Sequence, residues 1–329
     1  MSRLLFVLLL CTGPAFGQDA ASVAEQICRA GPQLVGLGES EHNDDQQHLY
    51  KLALLQELHS RCTVGALYFE SPFTDAVLAM IEQKPYSYFV YPFWKTKAVY
   101  PGLSGFIEKN KVIVAGLDPQ ENCSFLYLNR YLLEQGYISG AMRATAQRSD
   151  ALLALAIAQY PGAKTRALSA TEAALVIAAQ DTLINDLKRT DKQPAYTALL
   201  VRCLENRKVL ARLLAYTRSQ DKIRLREEMM AANIDFLERH FSTGRQGITV
   251  IWAANRHIAL RNAFGREGRK DKPAGMMERY AAGSKQRLFS TGIFATGAST
   301  GDLGFDLVAF SGARIRVTAE EFNHYDCRR

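Results

Sequence analysis

The sequence predicts an α/β protein: a central, mostly parallel sheet flanked by helices, with an inserted α-helical subdomain. Three observations predict it. Short apolar runs alternate with helix-period segments over residues 19 to 118, the rhythm of parallel strands joined by crossover helices. From about 122 to 242, long stretches rich in Ala, Leu, Arg and Gln replace that alternation. Strand character then returns in three apolar runs after residue 246. The sheet is therefore interrupted and resumed, with no linker separating independent units.

At the start of the chain, Arg3 precedes an apolar run over residues 4 to 10, and Ala15-Phe16-Gly17 supplies small residues where a signal peptidase reads. That run is far below the ~20 residues a spanning helix needs. Residues 1 to 17 therefore read as a signal peptide, residues 18 to 329 as the mature domain, and the protein as exported, periplasmic or secreted. Leu10 stands before Cys11 where a lipoprotein signal has a small residue, which weighs against lipidation. No later segment is long and apolar enough to span a membrane.

The elements follow in order. A short helix over 20 to 29 leads to a strand at 33 to 38. Residues 44 to 61 place Leu49, Leu52, Leu55 and Leu58 on a helix face; Asn43 with Gln46 fits a capping box at its start, and Asp44 and Asp45 suit the positive end of the dipole. "GALYFE" (65 to 70) is the second strand. A helix over 74 to 83, an aromatic loop "YSYFVYPFW" (86 to 94) and a helix over 101 to 110 precede the third strand, 111 to 118. The helical insertion has breaks near Gly136, Pro161-Gly162, Asp191 and Ser219, and no fixed-period repeat. "GITVIWA" (247 to 253), "RLFSTGIFA" (287 to 295) and "FDLVAF" (305 to 310) complete the sheet.

Removal of residues 1 to 17 leaves 312 residues with a formal net charge of +6, Arg3 being the one charge lost. Such a modest excess gives little reason to expect an acidic partner. The densest basic stretch, "REGRKDK" at 266 to 272, lacks interleaved aromatics and reads as a solvated loop, so no nucleic-acid partner is expected. Five cysteines remain: Cys28, Cys62, Cys123, Cys203 and Cys327. Cys28 and Cys62 each lie a few residues before a predicted strand, which places both sulfurs at one end of a parallel sheet. A bridge suits that geometry; two buried free thiols are the alternative. No C-x-x-C pair occurs, which sets aside zinc-ribbon and thioredoxin-like chemistry.

In open parallel sheets ligands bind beyond the carboxyl ends of the strands, where the loops that leave them converge. Glu39, His42, Glu70 and Asp118 fall at those ends, and His257 comes just after the strand 247 to 253 in "WAANRH". Singly, each such residue has a structural explanation; their coincidence at one sheet end points to a site. Among them His42 is the candidate general base: the helix dipole disfavours its imidazolium form while Glu39 or Glu70 favours it. The same acids and imidazoles also suit a Zn, Mn or Fe inventory, but neither H-E-x-x-H nor a His-x-His pair is present. Neither a G-x-S-x-G elbow nor a phosphate or dinucleotide fingerprint occurs where a strand enters a helix.

These residues resemble the erythromycin esterase family. That family opens on a strand ending G-E-x-x-H-G, and "GESEHN" supplies Gly38, Glu39 and His42, with Asn43 for the final Gly. "LYFE" matches its acid-ended second strand at Glu70 and "GLD" its third at Asp118. "REEMMAAN" is similar to its R-D-x-x-M-A-x-N helix, giving Arg226, Met230, Ala231 and Asn233, with Glu227 for the Asp. "WAANRH" keeps Trp252, Asn255 and His257 of W-A-H-N-x-H but has Ala254 for the first His, and Lys51 stands where the first-helix Arg belongs. The resemblance implies a sheet with a helical subdomain and a cleft between them. It also implies hydrolysis of an ester or lactone without metal or other cofactor, with His42 as general base and Glu39, Glu70 and His257 around it.

The expected function is thus an exported hydrolase acting on a small-molecule substrate. Glu39 and Glu70 orient water or the imidazole, and His257 donates to the developing oxyanion or leaving group. Asp118, Arg226, Lys51, Asn255 and Trp94 are the expected substrate-binding residues. The aromatic loop either lines the way to an apolar site or packs on the core. The strand end G-E-x-x-H alone also resembles Tiki-type metalloproteases and ChaN-type iron-uptake proteins, so a metal- or haem-binding protein is the alternative, and a catalytically inactive ligand-binding homologue a third.

Overall fold

The structure, a computed structural model, describes residues 19–121, 127–157, 165–190, 192–241, 243, 245–260, 274–295 and 305–311. The expected signal peptide, the basic stretch 266 to 272, the helix breaks expected at Pro161-Gly162 and Asp191, and Cys11, Cys123 and Cys327 lie outside these residues.

Among the described residues six parallel strands form one sheet: β1 (Leu34–Glu39), β2 (Val64–Pro72), β3 (Ile113–Asp118), β4 (Ile248–Ala254), β5 (Leu288–Phe294) and β6 (Leu307–Phe310), in the order β3-β2-β4-β1-β5-β6. Every residue of the two central strands β1 and β4 is buried, as expected where helices cover both faces of a parallel sheet. Alternate side chains then feed two cores. Leu34, Ala66, Tyr68, Ile251 and Ala253 point to one; Val35, Leu37, Leu67, Phe69, Val250 and Trp252 point to the other. Each fully buried Leu or Phe contributes roughly 1.5–3 kcal/mol by leaving water.

The second core is covered by α1 (Ala20–Ala30), α2 (Asp45–Cys62), α4 (Tyr100–Asn110) and two 3₁₀ turns, Tyr86–Tyr88 and Pro92–Trp94. Over the first core lie α3 (Phe73–Ile81), the helices α5 (Leu128–Glu134), α7 (Ala170–Thr190), α8 (Pro194–Ala215) and α9 (Ser219–His240), and α11 (Met276–Gly283). Between β3 and β4 the described chain is helical, with α6 (Arg143–Leu153) packed on α7. Among the described residues no helix is long and apolar enough to cross a membrane.

Cys28, in the last turn of α1, bonds Cys62, the last residue of α2, with the two Cα atoms 5.9 Å apart. The bridge sits at the edge where β1 and β2 begin, opposite the acid-bearing strand ends. Cys203 is a buried free thiol.

One expectation at the start of α2 shifts by a residue. The N-cap is Asp44, not Asn43: its carboxylate accepts from Gln46 N at 3.1 Å and from Gln47 Nε2 at 2.8 Å. The Gln47 side-chain oxygen in turn accepts from Ser40 N at 2.8 Å. A carboxylate cap here satisfies a helix amide and, through Gln47, fixes the loop that carries His42.

Candidate active site

Parallel pairing puts the strand ends at one lip. Glu39 is in register with Ala254 of β4 and with Ile293 of β5, and Pro72 with Asp118. Two glycines let neighbouring segments come close to that lip. A Cβ on Gly38 would lie 2.2 Å from Asn255 Oδ1, because α10 (Asn255–Ile258) crosses directly over β1; on Gly116 it would lie 2.5 Å from the Pro72 carbonyl at the irregularity of β2. Side chains at either position would push these segments off the lip.

The lip opens into a cavity of about 680 Å³, within the usual range for a small-molecule site. Among the described residues Glu39, Ser40, His42, Glu70, Arg226 and Asn255 line it on the sheet side, with Ala254 and Arg256, and Tyr91, Phe93, Gln120 and Glu121 line it as well. His42 Nδ1 hydrogen-bonds Glu39 Oε1 at 2.9 Å, and its ring stacks on Phe93 with centroids 4.5 Å apart. The carbonyl of His42 accepts from His48 Nε2 at 2.8 Å. The His42 side chain is 34% exposed whereas Glu39 is fully buried, so the imidazole faces the cavity with a carboxylate behind it. Among the described residues Nε2 of His42 has no hydrogen-bond partner.

Electrostatics follow from this layering. Burial would raise the Glu39 carboxyl, but the Lys51 ammonium, His42 and His48 outweigh it and hold the group at about 2. Burial would lower His42, but the hydrogen bond and charge of Glu39, with the charge of Glu70, raise it above 6.5. Lys51 is fully buried, donates to Glu39 Oε2 and sits 4.5 Å from the centroid of the Trp252 ring. Its enclosure depresses the ammonium to about 8 despite Glu39 and Glu70. His48 is enclosed as well and falls to about 4: it is a neutral donor.

A second network lies beside the first. Glu70 accepts from Arg226 Nη2, His257 Nε2 and the Ala254 amide, each at 2.9 Å. Arg226 Nε spans both Asp118 oxygens at 3.1 Å, and Tyr91 donates to Asp118 at 3.0 Å. His257 Nδ1 lies 2.7 Å from Glu227 Oε1. Burial opposes charge on His257, yet Glu227 and Glu70 hold it up at about 9, so it is an imidazolium at neutral pH with both ring protons given to carboxylates. Arg256 Nε lies 3.0 Å from His257 Nε2; while that nitrogen carries a proton, this is a contact, not a hydrogen bond.

The geometry corrects several sequence-based roles. His257 is buried with both nitrogens occupied, so it positions Glu70 and is not aimed at a ligand. Lys51, Asp118 and Trp94 are buried and do not line the cavity: Lys51 backs Glu39, Asp118 backs Arg226, and Trp94 packs edge-on to His42 at 6.1 Å. Asn255 reaches the cavity, but its amide nitrogen donates to Ile293 O at 3.1 Å. The aromatic loop does both things expected of it. Tyr86, Phe89 and Trp94 are core, while Tyr91 and Phe93 face the cavity.

Sequence reading did not single out His48, Glu121, Arg207 or Arg256, nor give Glu227 a role. Glu121 lines the cavity and is held by the buried Arg207 at 3.0 Å, with burial raising its pKa against that pairing. A usable signal existed for His48 alone: Asp44, His48 and Lys51 recur at helical spacing on a face that is otherwise apolar.

The family model for erythromycin esterase matches residues 79–305, a span that holds Asp118, Arg226 and His257 but begins after His42 and Glu70. No curated protein matches the chain. Among solved structures, a Bacillus cereus protein aligns with a TM-score of 0.62 at 18% identity, covering 84% of this chain and 69% of its own. A succinoglycan biosynthesis protein gives 0.61 at 15% identity, over 85% and 70%. A mutant of the erythromycin esterase EreC in its open conformation gives 0.60 at 15%, over 89% and 79%. At these identities the likeness shows a shared fold.

Proposed function

Because the chain belongs to the erythromycin esterase family, we propose that it is a hydrolase of esters or lactones in which His42 activates the attacking water. One observation carries the reading: a partly exposed imidazole faces the cavity with Nδ1 fixed on a buried carboxylate, itself backed by a buried ammonium. Glu39 accepts from Nδ1–H and so selects the tautomer whose Nε2 lone pair points at solvent. A water at Nε2 gives its proton to the ring as it attacks the carbonyl carbon; the same proton passes to the departing alkoxide when the tetrahedral intermediate collapses. Arg226 uses Nε and Nη2 on Asp118 and Glu70; its Nη1, without a protein hydrogen bond among the described residues, is the donor we assign to the oxyanion.

What supports metal independence is how the carboxylates are spent. Glu39 is committed to Lys51 and His42, and Glu70 to Arg226, His257 and the Ala254 amide; a metal would have to displace these donors. Export is supported by the Cys28–Cys62 disulfide, since such bonds persist in oxidising compartments.

The test is turnover of a panel of nitrophenyl esters and simple lactones, with and without chelator. Wild type is expected to hydrolyse members of the panel in chelator, and His42→Ala to lose roughly 10²–10⁴-fold in kcat/KM while still unfolding cooperatively. Full activity in His42→Ala, or loss of wild-type activity to the chelator, overturns the mechanism; no turnover of any member overturns the hydrolase reading.

A further inference from the structure

We propose that the mouth of this cavity is an anion subsite built on Arg256, so that the preferred substrate is an ester carrying a carboxylate elsewhere in the molecule. The inference deepens the hydrolase reading and rests on it for the word substrate, though not for binding.

Selectivity at the mouth depends on which charges a ligand can touch. Among the described residues three carboxylates line the cavity, and each is withdrawn and matched: Glu39 by Lys51 and His42, Glu70 by Arg226 and His257, Glu121 by Arg207. Side-chain exposures are 0% for Glu39 and 5% for Glu70, against 34% for His42 and 16% for Arg226. Arg256 is more open still. Apart from the Nε2 lone pair of His42, what the wall presents to a ligand is therefore mostly donors, while its negative charge is turned inward.

Arg256 is exposed and, unlike the Arg226 and Arg207 guanidinium groups that also serve this cavity, makes no ion pair among the described residues. Its Nε rests 3.0 Å from His257 Nε2, and no hydrogen bond is formed by its two terminal nitrogens within the described residues. The planar fork is thus left for an oxygen pair, the geometry that suits a carboxylate. Two cations this close, Arg256 and the imidazolium of His257, repel each other; an anion bound at the fork relieves that repulsion. Ala254 beside it contributes only a methyl to the wall. On the far side Tyr91 and Phe93 offer an apolar surface for the rest of the molecule.

The probes are matched 4-nitrophenyl esters: the neutral butyrate, the anionic hemisuccinate and the cationic 4-aminobutyrate. Wild type should prefer the hemisuccinate over the butyrate by about 10-fold in kcat/KM, chiefly through KM, and Arg256→Gln should collapse that ratio toward one, with Arg256→Lys recovering part of it. Binding without turnover is read separately: glutarate should raise the melting temperature of wild type but not of Arg256→Gln. If glutarate stabilises through Arg256 while no ester turns over, the anion subsite stands and the hydrolase reading falls. If esters turn over with no preference for the anionic one, or with preference for the cationic one, the anion subsite is overturned and the hydrolase reading stands. Neither turnover nor stabilisation overturns both.

Discussion

Lys51→Met tests whether the buried ammonium is what keeps Glu39 ionised behind His42. In the folded protein Glu39 is lowered from 4.5 to about 2, which corresponds to roughly 3 kcal/mol at 1.36 kcal/mol per pKa unit. The sign is that of a depressed carboxylate: the stabilisation is present above pH 4.5 and is lost as pH falls toward 2. Lys51 works the other way. Lowered from 10.5 to about 8 by its enclosure, it costs roughly 3 kcal/mol below pH 8, a cost relieved as pH rises from 8 through 10.5. The pair is therefore close to break-even as a pair, as buried ion pairs commonly are, while removing one partner strands the other at a cost of about 3–5 kcal/mol. Urea unfolding at pH 7 of wild type, Glu39→Gln, Lys51→Met and the double variant measures this directly. Lys51→Met should lose about 3 kcal/mol or more, and the double variant should lose less than the two single losses together, by about 2 kcal/mol, well outside the ~0.5 kcal/mol within which independent sites add. Additive single losses, or a neutral Lys51→Met, would refute the reasoning, because Glu39 would then hold its charge without Lys51.

Other outcomes rest on the same geometry. Since Glu39 raises His42 above 6.5 against burial, the acidic limb of kcat/KM should have its midpoint above pH 6.5, and Glu39→Gln should move it downward; a midpoint that stays put contradicts the dyad. His48 is neutral in the fold, lowered from 6.5 to about 4, so the unfolded chain takes up its proton first and stability should fall by roughly 3 kcal/mol as pH drops from 6.5 to 4. Melting curves of His48→Phe should be flatter across that window. His257 has the opposite sign: raised to about 9, its stabilisation is complete below 6.5 and lost as pH rises through 9, and His257→Gln should remove that alkaline loss. Reduction of Cys28–Cys62, which closes a loop over a sequence separation of 34, should cost about 3–4 kcal/mol in chain entropy, read as a lower urea midpoint in reductant. An unchanged midpoint would mean that α1 and α2 are held by packing alone.

Much of the architecture was legible because it rests on local periodicity. The six strands were found from apolar runs, and the helical stretch between β3 and β4 from the change of period. Strand-end acids were legible as a set, and parallel order then brought Glu39, Glu70 and Asp118 to one lip. The Asp44 cap was missed by one position because Asn, Asp and Ser cap almost equally well; the choice was made by Gln47, which bonds both Asp44 and Ser40. His257 was given a direct role because a loop imidazole after a strand looks available. Its two carboxylates come from β2 and α9, distant in sequence.

Residue order by itself determined that acids end buried strands and imidazoles follow a few positions later, because hydrophobic alternation and strand termination are written over a few neighbouring positions. Which of those groups meets solvent was decided only by tertiary packing. The exposed ring of His42, the enclosed ring of His257 and the open fork of Arg256 differ through what α2, α9 and α10 bring against them, and burial sets both the charge state and the reach of an ionisable side chain.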